Sequence, residues 1–336
     1  MDDRAVLQRL IDGPLSGDTL AREAGQTRAA VWKRIQALRQ AGVAIEARPG
    51  IGYALAQPMA LLDPALIERT LGADARRRMA SLAVAWTIDS TNSALMAGPV
   101  PADGSACVLL AERQTAGRGR RGRHWNSPLA AHLYLSLARS FGGGLSRLGG
   151  LSLVAGVATV EALHAMDIGR VRLKWPNDVV VVDEDGRLRK LGGLLVEGSG
   201  EHAGPVRAVI GLGLNVRMPA GAAALIDQPW CDLAGLDRGA AVDRNRLAAA
   251  VLEHWLPALA AFDRDGLAPF LARYAAVDAL QGREVVVQGE RGRIEGVARG
   301  ITGDGGLEVT LPGGQARVFH AGEASLRLAG AREEGA

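Results

Sequence analysis

Apolar positions near the start of the chain recur with the spacing of short helices. Ser16 and Thr27 each stand where they can cap a helix, and Gly25 is placed to end the first of these helices in the left-handed conformation. In the second helix the apolar residues fall on one face, namely Val31, Ile35 and Leu38. Two helices joined by a short glycine-containing turn predict a helix-turn-helix, and residues 4–11 add a helix before it.

A β-hairpin is predicted directly after these helices. Residues 44–47 and 52–55 flank a turn-forming stretch, Arg48-Pro-Gly-Ile. A hairpin in this position is the wing of a winged helix.

The pattern changes after residue 57. Residues 63–79 are interpreted as a polar, arginine-rich linker helix, and the apolar residues 149–166 as a helix buried against a sheet. A further helix is predicted at 244–262. Strands are predicted at 82–88, 106–111, 132–138, 179–182, 193–197 and 206–212. From about residue 277, short strands separated by glycine-rich turns predict a small β-barrel.

Three domains follow from these changes of pattern. We predict a winged helix at 1–62, a long α/β domain at 63–276 and the small barrel at 277–330. The chain of 336 residues is long enough for this division, and about half of it is apolar, so a sizeable core is expected.

Composition narrows the classes of protein that remain. A net charge of +3 argues against a uniformly basic nucleic-acid coat, so any DNA site should be a local patch. The two cysteines have no metal-binding spacing, and we expect them to be reduced thiols. An acidic start without a signal-peptide pattern, and no apolar run approaching 18 residues, favour a cytoplasmic protein without a membrane segment.

The second helix of the helix-turn-helix, residues 28–39, is the predicted DNA patch. It carries four cations and no acid: Arg28, Lys33, Arg34 and Arg39. Cations on the exposed side of such a helix suit phosphate contacts, and its first turn can reach base edges. The residues predicted to contact DNA are Thr27, Arg28, Lys33, Arg34 and Arg48. The alternative is a solvated helix that serves only protein contacts.

Residues 115–125 form an unusual run, TAGRGRRGRHW. It contains the dinucleotide-binding pattern Gly117-x-Gly119-x-x-Gly122, but an alternating strand follows instead of the helix that this pattern requires. The run is also short and bounded by predicted strands, which argues against a disordered nucleic-acid tract. An anion-binding loop and a solvated surface loop remain.

Four companion motifs favour the anion-binding loop. These are STN at 90–92, KWPND at 174–178, KLGGLLVE at 190–197 and GLGLN at 211–215. Together they supply two lysines, several amides and a carboxylate, without a His/Cys metal cluster or a Ser/His/Asp arrangement. Such a set suits charge stabilisation around a phosphate better than hydrolysis by a nucleophile.

With these motifs in this order, the sequence resembles the biotin–protein ligases that also act as biotin operon repressors. The resemblance covers residues 1 to about 330. It implies an α+β fold with a winged helix, a central mixed sheet with helices on one face, and an SH3-like C-terminal barrel. It also implies a two-step reaction, in which the biotin carboxylate attacks the α-phosphate of ATP and an acceptor lysine then attacks biotinyl-5′-adenylate.

The family's site residues map onto this chain motif by motif. Its catalytic residues correspond to Arg118, Lys190 and Asp178. Its biotin contacts correspond to Ser90, Thr91, Asn92, Gln114, Gly117, Arg118, Arg120, Lys190 and Gly193. Its ATP and adenylate contacts correspond to Arg118, Arg120, Arg121, Arg123, Lys174, Asn177, Asn215 and Trp230.

The resemblance further implies Mg²⁺ with ATP, a biotin carboxyl carrier protein as acceptor, operator DNA, and a ligand-promoted homodimer, with no protein-held metal. His124 stands where relatives often carry lysine. We expect Trp125 and Trp175 to be core residues, Lys190→Ala to slow adenylate formation, and Arg118→Gly to release the adenylate into solvent. A regulator that binds biotinyl-adenylate without transferring it, and a lipoate ligase, are the alternatives.

Overall fold

The computed structural model describes residues 1–200, 204–224, 226–236, 242–289, 292–321 and 325–328. Its first part is the predicted winged helix. The elements are α1 (Asp3–Asp12), α2 (Gly17–Ala24), α3 (Arg28–Gln40), β1 (Ile45–Arg48) and β2 (Gly52–Leu55). Strands β1 and β2 form an antiparallel hairpin.

The caps of the helix-turn-helix are confirmed. Ser16 Oγ accepts a hydrogen bond from the Thr19 amide at 3.0 Å, and Thr27 Oγ1 accepts one from the Ala30 amide at 3.2 Å. Gly25 ends α2 with a φ of 61°, which glycine adopts without a steric penalty. The three apolar residues predicted on the inner face of α3 are buried.

The single linker helix predicted at 63–79 is wrong. The structure has two short helices, α4 (Pro64–Thr70) and α5 (Ala73–Arg77), followed by strand β3 (Met79–Ala85). Leu71 is extended and buried between them, and Gly72 begins the second helix without a side-chain cap. Burial of Leu71 in the core therefore interrupts the helical pattern. As a consequence, the first strand of the sheet begins and ends earlier than predicted.

The α-helices and strands that follow β3, up to residue 277, are α6 (Thr91–Ala97), β4 (Ala106–Ala111), β5 (Leu133–Phe141), α7 (Leu151–His164), β6 (Val171–Lys174), β7 (Asp178–Val182), β8 (Leu188–Gly200), β9 (Val206–Leu214), α8 (Ala220–Ala223), α9 (Leu233–Leu236), α10 (Arg244–Asp265) and α11 (Leu271–Val277). The central sheet has seven strands in the order β3-β4-β5-β9-β8-β7-β6. Only β3 and β4 are parallel, so the sheet is mixed. The short strand β6 was not predicted.

The two faces of this sheet differ in chemistry. Even-numbered residues of β9, from Ala208 to Leu214, join α7 and α10 in the main apolar core. The odd-numbered positions include Gly211 and Gly213, and they face the opposite side because side chains alternate along a strand. Helix α6 lies on that glycine-bearing side, where Asn92 contacts Gly211.

Five antiparallel strands complete the described chain, in the order β13-β12-β11-β10-β14. They are β10 (Glu284–Gly289), β11 (Gly292–Ile301), β12 (Leu307–Thr310), β13 (Ala316–Phe319) and β14 (Ser325–Leu328). Their buried residues continue the main core. Trp175 is buried and its indole N–H donates to Gly305 O at 3.0 Å, which ties this sheet to the central one.

The segment after the arginine-glycine run packs into the winged helix. Leu129 and Ala130 are buried in the same apolar cluster as the residues of α1, α2 and α3. The Leu129 amide also donates to Ala41 O at 2.8 Å, just after α3. The loop of residues 115–127 is therefore continuous in sequence with part of the winged helix's core.

We expect Leu129→Ala to destabilise the winged helix although it lies far from that domain in sequence. Removing a fully buried leucine leaves a cavity and costs about 2–5 kcal/mol. Thermal unfolding of the full-length variant, compared with that of the full-length wild type, measures this effect. An unchanged transition of the winged helix would contradict the packing described here.

Candidate active site

The floor of the candidate site is the glycine-bearing side of the central sheet. Gly193 of β8 pairs with Gly213 of β9, and Ser136 of β5 pairs with Gly211. A Cβ on Gly213 would lie 2.5 Å from the Trp125 ring, and one on Gly211 would overlap Asn92 Oδ1. Larger residues at these two positions would displace the groups that cover the floor.

A buried cluster of hydroxyl and amide groups lies at one end of this floor. Ser90, Thr91 and Asn92, at the start of α6, are all buried, and Ser90 caps the helix. Gln114 Oε1 accepts hydrogen bonds from the Thr91 amide at 2.9 Å and from the Thr91 hydroxyl at 3.0 Å. Ser136 Oγ lies 2.7 Å from both Thr91 Oγ1 and Asn92 Oδ1. Such a preorganised set of donors and acceptors can bind a small polar ring.

The arginine-glycine loop folds over this end of the site as a closed turn. The Trp125 amide donates to Gly117 O at 2.9 Å, and the Gly119 amide donates to Arg123 O at 2.7 Å. A 3-10 turn at Arg120–Gly122 forms its tip. A Cβ on Gly117 would lie 2.8 Å from Ser127 Oγ, so the close approach of the two sides of the loop requires glycine there.

The arginines of this loop differ in their environments. Arg120 is half-buried: it donates to Asn177 Oδ1 at 3.2 Å and to the backbone oxygen of Ala321. Burial, followed by repulsion from Arg121, lowers the pKa of Arg120 below its usual value. Arg118 is more exposed and contacts Ser93 Oγ at 2.9 Å and Glu197 Oε1 at 3.2 Å.

Arg121 and Arg123 were predicted to face phosphates, and both are exposed in the structure. Arg121 adopts a left-handed φ of 57°. His124, beside them, is exposed as well.

A lysine and a carboxylate lie at the other end of the floor. Lys190 Nζ is 2.7 Å from Asp178 Oδ1, and both side chains are mostly buried, with exposed fractions of 19% and 24%. The ammonium group also lies 5.6 Å from the centre of the Trp125 ring. Gly193 lies directly beside this pair, since a Cβ there would be 3.5 Å from both charged groups.

The KWPND motif reaches the same place through a tight turn. Lys174 and Asp178 face each other as paired residues of β6 and β7, on either side of a cis bond between Trp175 and Pro176. Asn177 Nδ2 donates to Leu194 O at 2.6 Å. The motif therefore places its amide against β8 and its carboxylate against Lys190.

Asn215 and Trp230 are brought beside Lys190 by backbone contacts. The Lys190 amide donates to Pro229 O at 2.9 Å, and the Cys231 amide donates to Lys190 O at the same distance. Asn215 is buried and its Nδ2 donates to Cys231 O at 3.1 Å. Asn215 thus holds the segment that carries Trp230, whose side chain is half-buried.

Three residues of this region were missed or misjudged from the sequence. Ser136 was not singled out, although a hydroxyl in the apolar strand HLYLSLA was a usable signal. Glu197 belongs to one of the motifs, but the sequence predicts no role for it. Trp125 was expected to be a core residue, but it is half-buried between Lys190 and Gly213 and forms a wall of the site, whereas Trp175 is a core residue as expected.

The winged helix presents a smaller cationic surface than the sequence predicted. Arg28 and Lys33 are exposed, as is Arg48 in the wing. Arg34, however, is half-buried and bonded to Asp3 at 2.9 Å, and Arg39 donates to Ile45 O at the same distance. The prediction that all four cations of α3 lie on its exposed side is therefore wrong, because Arg34 and Arg39 are half-buried and bonded within the domain.

A cleft between α3 and the wing carries the exposed cations. Its lining includes Arg28, Trp32, Arg48 and Tyr53. The side of α3 here also exposes 54% of Trp32. Aromatic and cationic groups side by side suit contact with both the backbone and the bases of DNA.

Two further findings concern the described residues. They contain no group of three or more His, Cys, Asp and Glu side chains that could hold a metal ion. None of their helices has the length and apolar character needed to cross a membrane.

Three protein-family profiles match the chain. They are described as the Biotin/lipoate A/B protein ligase family at residues 86–215, an HTH domain at 4–54 and the Biotin protein ligase C terminal domain at 281–327.

Individual proteins match over most of the chain. It is 39% identical to the bifunctional ligase/repressor BirA of Salmonella typhimurium, covering 96% of this chain and 97% of that protein. The Biotin--[acetyl-CoA-carboxylase] ligase of Mycobacterium tuberculosis is 37% identical, with 78% and 96% covered. Among solved structures, the biotin protein ligase from Aquifex aeolicus in complex with biotin and ATP aligns with a TM-score of 0.61 at 28% identity, covering 75% of this chain and all of that one.

Proposed function

The chain belongs to the family of bifunctional biotin–protein ligases and repressors, and we propose that the glycine-floored site is where it joins biotin to an acceptor lysine. The protein is an ATP-dependent biotin ligase that also represses transcription. The observation that carries the site assignment is the convergence of five separate motifs on one side of the sheet. Its polar end suits the biotin ring, the lysine at its other end suits the biotin carboxylate, and the arginines of the loop suit a phosphate.

The first step brings two anions together. The biotin carboxylate attacks the α-phosphate of ATP, a new P–O bond forms, and pyrophosphate leaves. Lys190 is mostly buried, so its charge is poorly screened at this end of the floor. We assign it to the biotin carboxylate, and Arg118 and Arg120 to the phosphate, because guanidinium groups grip oxyanions bidentately and stay protonated.

Trp230 and the two amides complete the proposed nucleotide end. Asn177 and Asn215 anchor the segments on either side of Lys190, and Trp230 provides an aromatic surface for adenine. Mg²⁺ accompanies ATP in this proposal and neutralises part of the phosphate charge.

In the second step the acceptor lysine attacks the acyl carbon of biotinyl-5′-adenylate. An amide bond forms, AMP leaves, and the amine gives up a proton. Asp178 is the carboxylate paired with Lys190, and its bond to Lys190 at 2.7 Å is broken or rearranged if it accepts that proton. Incubation of a biotin carboxyl carrier domain with biotin and Mg·ATP, followed by mass spectrometry, tests the reaction. A mass gain with lipoate and none with biotin would overturn it.

Repression is proposed to act through the cleft of the winged helix. When acceptor is scarce, bound biotinyl-adenylate promotes a homodimer that presents two copies of α3 to a palindromic operator. A gel shift on DNA upstream of biotin-synthesis genes tests this with and without biotin and ATP. Sedimentation under the same conditions measures the dimer, and a ligand-independent monomer would contradict this part of the proposal.

We expect Lys33→Ala to weaken operator binding and leave biotinylation unchanged. Lys33 is exposed on α3 and is not one of the residues that form the glycine floor or its cover. Log affinity falls as log salt concentration rises, and loss of one phosphate contact should make this slope less steep by about 1. Binding titrations at several salt concentrations measure that slope.

Arg34→Ala is the matched comparison for Lys33→Ala. Because Arg34 is bonded to Asp3 and Gln26, its loss should lower the stability of the domain and leave the salt slope of DNA binding nearly unchanged. An unchanged salt slope in Lys33→Ala would mean that Lys33 does not contact the DNA.

A further inference from the structure

Glu197 lies beside the polar end of the site and contacts two of its parts at once. Its Oε2 accepts a hydrogen bond from Asn92 Nδ2 at 2.8 Å. Its Oε1 forms an ion pair with Arg118 at 3.2 Å. One carboxylate of β8 thus connects the first turn of α6 with the arginine-glycine loop.

The contact with Asn92 is fixed. Asn92 is 4% exposed, and its side chain also donates to Leu195 O at 3.3 Å and lies 2.7 Å from Ser136 Oγ. Gly211 leaves the space that this amide occupies. Because Asn92 is held from three sides, it orients the Glu197 carboxylate and leaves Oε1 directed at the loop.

The contact with Arg118 is open by comparison. The exposed fractions are 46% for Arg118 and 32% for Glu197, and a pair this exposed to water contributes little stability. A phosphate group carries more charge than a carboxylate and can accept both N–H groups of the guanidinium fork. It can therefore displace Glu197 from Arg118 at a small cost in free energy.

We propose that Glu197 is a positioning residue that holds Arg118, and with it the arginine-glycine loop, in the ligand-free enzyme and gives Arg118 up to the phosphate of the bound nucleotide. This inference rests on the proposed function of the site. It explains why a carboxylate is placed beside a site that must bind anions. Glu197 keeps the Arg118 guanidinium close to the proposed phosphate site, and the more highly charged phosphate displaces Glu197 when the nucleotide binds.

Limited digestion with trypsin tests the proposal, because the loop contains four arginines after which trypsin cuts. Glu197→Gln retains a carbonyl oxygen for Asn92 and removes the charge that holds Arg118. Ligand-free Glu197→Gln should be cut in the loop about 1.4-fold to fivefold faster than wild type, the range that corresponds to an exposed ion pair. After incubation with biotin and Mg·ATP without acceptor, the two should be cut at the same rate, because the phosphate then holds Arg118.

Two comparisons separate this role from a structural one. Glu184→Gln makes the same charge change at a side chain that is 92% exposed and should not alter cleavage of the loop. In an Arg118→Ala background, Glu197→Gln should have no further effect on cleavage, because the partner through which it acts is gone.

Three results would overturn the proposal. These are an unchanged rate in ligand-free Glu197→Gln, an acceleration that persists in the Arg118→Ala background, and an acceleration that is undiminished when adenylate is bound. A wild-type enzyme that forms no adenylate would instead count against the proposed function, and the ligand-free comparison would still decide whether Glu197 holds the loop. Matching thermal unfolding of both proteins establishes that Glu197→Gln is folded.

Discussion

Replacing Arg120 with glycine is expected to turn a selective ligase into one that biotinylates bystander proteins. Arg120 is the half-buried arginine of the loop, and it is bonded both to Asn177 in the KWPND turn and to Ala321 after β13. Without it, the tip of the loop loses its attachment to the opposite side of the site. Biotinyl-adenylate would then leave before transfer and react with exposed lysines in solution.

The expected change in adenylate retention is large. Hydrogen bonds that involve a charged group contribute about 1.5–3 kcal/mol each, so the dissociation rate should rise on the order of tenfold or more. Stopped-flow or filter measurements of adenylate release give this rate directly. Blotting for biotin on added bystander proteins measures the consequence.

Two variants in the same loop serve as controls. Arg123→Gly introduces the same residue at an exposed position and should retain the adenylate. Arg118→Gly, for which the sequence predicts release, should release less than Arg120→Gly, because it leaves the attachment of the loop to Asn177 and Ala321 intact. An Arg120→Gly enzyme that keeps the adenylate as long as wild type would contradict the attachment.

Some features of the fold could be predicted from the sequence, and others could not. The helix caps at Ser16 and Thr27 were predictable, because a cap and its helix are neighbours in the chain. The linker helices were not, because the burial of Leu71 depends on the core into which it packs. Local preferences decide the first case, and tertiary packing decides the second.

The candidate site shows the same difference between features set by neighbouring residues and features set by tertiary contacts. The motifs were identified from their residues, and their convergence agrees with the resemblance. Which arginine of the run does what depends on partners far along the chain: Ala321 is 201 residues from Arg120, and Glu197 is 79 residues from Arg118. No periodicity in the sequence carries that information.

Helix α3 illustrates the limit for charged residues. Composition could not tell Lys33, which is exposed, from Arg34, which is bonded to Asp3. A basic residue can bind DNA or hold its own domain together, and only its partners distinguish the two.

The second large effect is expected for Lys190, in the step that forms the adenylate. Lys190→Ala should reduce biotin-dependent exchange of pyrophosphate into ATP by about 10²–10³-fold, the range found when a single charge-stabilising donor is removed from an active site. Two causes add. The cation that receives the biotin carboxylate is lost, and Asp178 is left mostly buried without its partner, so that it repels both substrates.

Transfer from adenylate supplied ready-made should fall much less, because the carboxylate is already part of the mixed anhydride and carries no charge for Lys190 to hold. Lys190→Met keeps the length of the side chain and its contact with Trp125, so it should resemble Lys190→Ala in the first step if charge is the cause. A double variant, Lys190→Met with Asp178→Asn, should recover part of the exchange rate by removing the unpaired carboxylate. Equal losses in both steps would mean that Lys190 shapes the site, whereas a loss confined to the first step identifies it as the residue that brings the two anions together.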